Sequence, residues 1–320
     1  MTTALTAATP RALLAEGARR LTEAGLPTAR QDAEWLLAAV LGVERLALYL
    51  EPERGLAEAD GGRYRALVAR RAGHEPLQHL LGYEDFRGLR LRVTPDVLIP
   101  RPETEGLVEW ALELLAGLSA DGGRAGAISR PPLMVNGQSI GRAFPLLLAD
   151  IGAGSGAIAC ALATERPDAR VLATELSPAA LSVAEGNVRA LGLADRVRLL
   201  AGDLLGPLAA EPDRLAMIVA NAPYLPSGIL PSLPREVVDF EPRQALDGGP
   251  DGLAVIRRLL AVAPAALRPG GWLVLEIGED QAATVAGLMD AQGFVDVATR
   301  EDLRGVTRYV AGRLPATAVA

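Results

Sequence analysis

The apolar positions of this chain follow two different rhythms. Up to about residue 75 they recur at helical spacing. Thr9-Pro10 supplies an N-cap and a proline at the first helical position, ahead of Leu13, Leu14, Ala18, Leu21 and Ala24. Thr28 opens a second helix with Ala33, Leu36, Leu37, Val40 and Leu41 on one face, stopped by Gly42. A third amphipathic stretch covers residues 57–71, where Arg63, Arg65, Arg70 and Arg71 read as a solvated face. Residues 1–75 are therefore expected to form a small helical bundle. It carries no catalytic constellation, which suits substrate recognition better than catalysis.

Between residues 76 and 100 the period shortens. Leu77-Gln78-His79-Leu80-Leu81-Gly82-Tyr83 and Leu89-Arg90-Leu91-Arg92-Val93 flank Asp85-Phe86-Arg87-Gly88, predicting a β-hairpin linker with His79 as a packed strand residue. Ile99-Pro100-Arg101-Pro102-Glu103-Thr104-Glu105 then leads into a helix over 105–118. Its carboxylates lie at the positive helix end, so capping and a site role are both open. Residues 120–145 are rich in glycine and proline with little period, predicting a flexible insertion in a domain covering 101–320.

From residue 146 strand and helix alternate. Strands are expected at 146–151, 171–174, 197–200, 215–220 and 272–277, with two more at 294–298 and 307–312. Helices follow from about Gly156, Ser177, Gly252 and Asp280. That order predicts an α/β domain built on a mostly parallel seven-stranded sheet with helices on both faces.

Composition narrows the class. A chain of 320 residues is long for one core. No segment is apolar enough to span a bilayer, and Arg11 and Glu16 break any secretion-signal pattern, so a soluble cytoplasmic protein is expected. Cys160 is the only cysteine, and His74 and His79 are the only histidines, which argues against disulfides and against a thiol or histidine metal site. The net charge of −7 has the wrong sign for phosphate-backbone binding, so no direct nucleic-acid partner is expected.

Two stretches carry chemistry. Asp150-Ile151-Gly152-Ala153-Gly154-Ser155-Gly156 joins the first parallel strand to its helix, and Glu175 ends the next strand, where such folds hold ribose hydroxyls. The spacing also fits a loose dinucleotide fingerprint. Three features favour S-adenosyl-L-methionine instead: Asp150 near a cationic methionine end, Asp203 placed for an adenine amine, and no hydride relay around Asn221. The second stretch is Asn221-Ala222-Pro223-Tyr224, at the end of the uncharged run Leu215-Ala216-Met217-Ile218-Val219-Ala220. The Asn221 amide oxygen and the Ala222 carbonyl could accept the two N–H bonds of a planar amide or amine, with Tyr224 stacked on it and Pro223 holding the backbone. An Asx-Pro turn that merely ends a strand is the alternative.

With these residues in view, the chain resembles the HemK/PrmC family of protein-(glutamine-N5) methyltransferases, which act on class I peptide chain release factors. The resemblance spans nearly the whole chain. Its most specific parts are Pro100-Arg101-Pro102-Glu103-Thr104-Glu105, Phe240-Glu241-Pro242-Arg243-Gln244-Ala245-Leu246-Asp247-Gly248-Gly249 and Asp251-Gly252-Leu253. It implies a Rossmann-like S-adenosylmethionine-dependent domain, no metal, and methylation of the glutamine side-chain amide in a release factor's Gly-Gly-Gln motif. It also implies cofactor contacts from Asp150 through the glycine loop, Glu175, Asp203, Leu204 and Asn221, in a monomeric enzyme. Departures are Ala222, where the family motif has proline, the long 120–145 loop, and Leu204, where some members carry an aromatic residue. Three rival readings remain: a nucleic-acid exocyclic-amine methyltransferase, a related glutamine methyltransferase with a different protein substrate, and a non-catalytic protein that docks on a release factor.

Overall fold

The computed structural model describes residues 8–121, 133–135, 138–140, 146–211 and 214–316. Two compact units divide the chain: Met1–Tyr83 with Leu233–Glu241, and Glu84–Ser232 with Pro242–Ala320.

The first unit is helical, with α1 (Pro10–Glu23), α2 (Ala29–Leu41), α3 (Ala47–Leu50), α4 (Glu58–Ala72) and α5 (Leu77–Leu81). The Thr9 side chain accepts the Ala12 N–H at 3.3 Å, the N-cap its sequence predicts, and Gly42 ends α2 in the left-handed region. Leu21, Leu36, Leu37 and Tyr64 fill the centre.

Two expectations for this unit need correction. Arg71 is not on a solvated face: it is buried and its Nε donates to Asp32 Oδ2 at 2.7 Å. It shares a helix face with Val68 and Tyr64, one and two turns earlier, and that face is the core side of α4. Its Nη2 also donates to Glu236 Oε1 at 3.0 Å, on the short α9 (Arg235–Val238) of the returning segment. The second correction concerns 77–81, which forms a helical turn ended by Gly82 at φ +80°, so His79 sits on a helix and not a strand. A five-residue stretch, Leu77-Gln78-His79-Leu80-Leu81, has too few positions to separate the two periods.

The hairpin itself is shorter than expected, β1 (Tyr83–Phe86) and β2 (Leu89–Arg92). The helix read over 105–118 begins earlier, as α6 (Pro102–Asp121). Of the insertion read at 120–145, only the helix end and the ladder of β3 (Leu133–Val135) with β4 (Gln138–Ile140) lie inside the described residues.

The second unit is organised on seven strands. They are β5 (Leu146–Ile151), β6 (Ala169–Glu175), β7 (Val197–Ala201), β8 (Leu215–Ala220), β9 (Leu267–Glu276), β10 (Val295–Glu301) and β11 (Thr307–Arg313). Their spatial order is β10-β11-β9-β8-β5-β6-β7, parallel from β9 to β7, with β11 antiparallel to both its neighbours. On β8 alternate residues feed opposite cores: Met217 and Val219 pack under α6 and α7 (Ala157–Glu165), Ile218 and Ala220 under α10 (Ala254–Ala266) and α11 (Ala282–Ala291). The helix α8 (Pro178–Ala190) completes the first of these layers, capped by Ser177. Both faces of β8 are thus covered, which is why its sequence lacks polar alternation. Strand order reverses between β5 and β8, and a ligand crevice forms at such a reversal.

Candidate active site

The carboxyl ends of β5 and β6 are tied together through a glycine loop. Gly152 and Gly154 adopt φ of +78° and +55°, and a Cβ on either would meet no atom within 4 Å. The left-handed backbone favours glycine at both positions, no neighbour fills the space of a Cβ, and both line an open cavity of about 700 Å³. The N–H groups of Gly152 and Ala153 donate to the Thr174 carbonyl at 2.9 Å each. Glu175 then splints the loop: Oε2 accepts the Gly154 N–H and Oε1 the Ser177 N–H, both at 2.8 Å. Ser155 is held from behind, its carbonyl accepting Asn187 Nδ2 at 2.8 Å, while Asn187 also bonds the backbone of Arg92 in the hairpin.

Asp150 sits under this loop, fully buried. Its Oδ2 accepts the Ala159 N–H in the first turn of α7 at 3.0 Å, and Oδ1 has no hydrogen-bond partner among the described residues. Burial pushes its carboxyl up to about 7, against the pull of that backbone hydrogen bond. Across the cavity, Leu204 holds a left-handed φ of +48°, and the Asp203 carboxylate is engaged by Arg258.

The far wall is the end of β8. Asn221, Ala222 and Pro223 line the cavity. Asn221 Nδ2 donates to Thr104 Oγ1 at 3.0 Å, and that hydroxyl donates to Glu276 Oε2 at 2.8 Å. Tyr224 Oη donates to the other oxygen of Glu276 at 3.3 Å. Burial raises the Glu276 carboxyl to about 7, although both hydroxyls favour its charged form.

Comparison with known proteins meets this geometry. Residues 12–82 match the PrmC N-terminal domain and residues 142–228 the methyltransferase small domain. The chain is 42% identical to a release factor glutamine methyltransferase of Geobacter sulfurreducens, covering 92% of this chain and 93% of the relative. It is 45% identical to that of Moorella thermoacetica, covering 89% and 91%. The chain belongs to the release factor glutamine methyltransferase family. Among solved structures, the hMettl16 catalytic domain in complex with MAT2A 3'UTR hairpin 1 superposes with a TM-score of 0.55 at 17% identity, covering 79% of this chain and 82% of that one, a likeness of fold.

The motif stretches that this release factor glutamine methyltransferase family member carries brace the site from behind. In Pro102-Glu103-Thr104-Glu105, Thr104 reaches Asn221, and the Glu103 carbonyl accepts Tyr309 Oη at 2.5 Å. Glu105 accepts the Arg87 N–H at the hairpin turn at 2.9 Å. In the stretch ending Asp247-Gly248-Gly249, Asp247 Oδ1 accepts Ser227 Oγ at 2.5 Å and the Gly249 N–H at 3.0 Å, while Oδ2 accepts from Arg243. A Cβ at Gly248 would lie 2.8 Å from the Pro223 carbonyl oxygen, and one at Gly252 would lie 2.3 Å from that of Tyr224. Those glycines let the loop press against the backbone of the asparagine motif.

Of the residues singled out from sequence, Gly152, Gly154, Glu175, Asp203, Leu204, Asn221, Ala222 and Pro223 come together around the one cavity. Asp150, Ala153, Ser155, Gly156 and Tyr224 are not among its lining residues. They stand behind the wall, where Gly156 caps α7 and Tyr224 turns its hydroxyl to Glu276. Sequence reasoning missed Thr104 as a partner of Asn221, and missed Glu276, Asn187 and Arg258. Glu276 did leave a signal, a lone acid closing the apolar strand Trp272-Leu273-Val274-Leu275 at the sheet's ligand edge.

Proposed function

We propose that this protein transfers the methyl group of S-adenosyl-L-methionine to the side-chain amide nitrogen, N5, of the glutamine in the Gly-Gly-Gln motif of class I peptide chain release factors. The observation that carries the reading is the state of Asn221. Its Nδ2 is committed to Thr104, so Oδ1 is the atom left to accept a hydrogen bond at the cavity wall. An amide substrate needs such an acceptor on each N–H.

The residues present fit that cofactor. The cavity opens over two glycines with space where a Cβ would stand, beside a carboxylate at the end of β6; behind that wall, one buried carboxylate oxygen of Asp150 has no partner among the described residues. When bound, the cofactor supplies a sulfonium methyl group open to in-line displacement. Gly152 and Gly154 would take its chain along their backbone, and Glu175 would receive ribose hydroxyls on its remaining lone pairs. Asp203 and Leu204 would flank the base. Asp150, Ala153, Ser155 and Gly156 would hold the loop in that shape.

Asn221 Oδ1 and the Ala222 carbonyl would accept the two N–H groups of the substrate glutamine and oppose delocalisation of its lone pair into the carbonyl. So held, the nitrogen would be placed to displace the neutral thioether from the sulfonium methyl group, with one N–H proton released to solvent. The enzyme's contribution is mainly positioning. Tyr224, with its hydroxyl on Glu276, supports the motif from behind in this reading. A monomeric cytoplasmic enzyme with no direct nucleic-acid partner goes with it.

The test is intact-mass spectrometry of unmodified release factor incubated with the protein and S-adenosylmethionine, followed by peptide mapping. One added methyl group on the Gly-Gly-Gln glutamine is expected. No gain, with cofactor binding confirmed by calorimetry, would move the search to another acceptor. Labelled methyl in nucleic acid but not in protein would replace this reading with exocyclic-amine methylation.

A further inference from the structure

We infer that Thr104 and Glu276 are positioning residues that dictate which end of the Asn221 amide faces the substrate. Glu276 is 2% exposed and lies at the end of β9. An ionised carboxylate can only accept, so the Thr104 hydroxyl at 2.8 Å must spend its single proton on Oε2. What remains on Thr104 Oγ1 are lone pairs. The Asn221 atom 3.0 Å away must therefore be the donor, Nδ2, and the amide oxygen is forced to the opposite side. Tyr224 Oη occupies the second carboxylate oxygen as a donor, so Glu276 has no competing role for its proton-free state.

The order donor-to-acceptor thus runs Asn221 to Thr104 to Glu276 and cannot reverse while Glu276 is ionised. Without Thr104 an asparagine amide, nearly symmetric in shape, could present either end. Half of those presentations would offer N–H to a substrate N–H. Burial of the carboxylate raises its pKa, a cost that a purely structural tether from α6 to β9 would avoid with apolar residues.

This inference rests on the reading of Asn221 as the acceptor of the substrate amide, and the experiment separates the two. Steady-state kinetics with release factor would be measured for the wild-type chain and for Thr104→Val, Thr104→Ser, Asn221→Ala and the double variant Thr104→Val/Asn221→Ala. Calorimetry would report cofactor affinity. Thr104→Val is expected to lower kcat by about 10- to 100-fold while KM for the release factor and cofactor affinity stay within about 3-fold, the signature of misplaced reacting groups. Thr104→Ser, which keeps the hydroxyl, should restore kcat to within about 3-fold of wild type. The double variant should be no slower than Asn221→Ala alone. If Thr104→Val melts too low to assay, Thr104→Cys carries the test, since a thiol is a poor donor and acceptor in the same volume and should give the same kcat loss. Wild-type kcat in either variant, with Asn221→Ala inactive, overturns the positioning role and leaves the Asn221 reading standing. Wild-type turnover in Asn221→Ala overturns both.

Discussion

Glu175 and Gly154 share a hydrogen bond of 2.8 Å that makes the end of β6 the brace of the glycine loop after β5. The same carboxylate takes the Ser177 N–H through its other oxygen, so one side chain sets both the loop and the start of α8. Removing it as Glu175→Ala strands two N–H groups and takes away one of the acidic groups that line the cavity. Hydrogen bonds to charged groups contribute about 1.5–3 kcal/mol each, so a loss of about 10- to 100-fold in S-adenosylmethionine affinity is expected. Isothermal calorimetry measures it directly. Unchanged affinity would remove Glu175 from the cofactor site.

Ala222 stands where the related motif has proline. It is buried, and its N–H donates to no group among the described residues, so proline would break no hydrogen bond there. Pro223 already restrains the preceding residue to extended backbone. Ala222→Pro is therefore expected to leave kcat unchanged or raise it slightly, with a gain in stability of about 0.4–1 kcal/mol from a less flexible unfolded chain. A large loss of rate in the same mass-spectrometric assay would show that this pocket needs the alanine.

The buried carboxylates give the protein a defined pH response. Burial raises Glu276 from an ordinary 4.5, and Asp150 from 3.8, to about 7 in each case. Between these limits the folded chain holds protons that the unfolded chain has released, so stability falls as pH rises from about 4 to about 7 and levels off above. The lowered carboxyls of Asp168, Asp247, Asp251 and Asp302 act with the opposite sign, and only where pH falls below their ordinary 3.8. Urea unfolding at pH 5 and pH 8 should show a smaller drop for Glu276→Gln than for wild type. An equal drop would mean that Glu276 does not titrate in this window.

The same titration reaches the site. Glu276 is faced by Thr104 and Tyr224 through hydrogen bonds, and by the charges of Glu103 and Arg308. Protonation would turn one of its oxygens into a donor and compete with Thr104 or Tyr224. The kcat of the wild-type chain is expected to decline on the acid side of about pH 7, and Glu276→Gln is expected to flatten that limb. A wild-type acid limb retained in Glu276→Gln would assign it to another group.

Arg71 is the buried hub of the first unit, shared by Asp32 on α2 and Glu236 on the returning segment. Removing one partner of a buried ion pair costs about 3–5 kcal/mol, because the other charge is left without compensation. Arg71→Ala should accordingly speed hydrogen exchange across α2, α4 and residues 233–241, while peptides from β5 to β9 keep their protection. Exchange that rises equally over the whole chain would show that the two units unfold as one.

Much of the second unit was legible because its signals are local. A short uncharged run such as Leu215-Ala216-Met217-Ile218-Val219-Ala220, stopped by Pro223, reads as a strand covered on both faces, and β8 has the bounds its sequence predicts. The glycine loop was equally open to reading, since glycines at spaced positions after a buried strand mark backbone that must come near something. Ser177-Pro178 announced α8 by capping chemistry alone.

What failed to show did so for physical reasons. The run 77–81 is too short for a helical period to separate from an alternating one, and its helical turn was decided by Gly82 taking a left-handed φ of +80°. Arg71 looked solvated because charge is ordinarily exposed; only the acids brought to it by α2 and by a segment 165 residues away made its burial affordable.

By itself, then, the sequence determined the helical first unit, the alternating sheet, and the two stretches that carry chemistry, since each depends on neighbours within a few turns of chain. Tertiary structure alone decided which polar groups stand behind that chemistry. Thr104 meets Asn221 across 117 residues and Glu276 across 172. No local pattern encodes such a pairing, because a hydrogen bond depends on where two backbones arrive in space and not on their spacing along the chain.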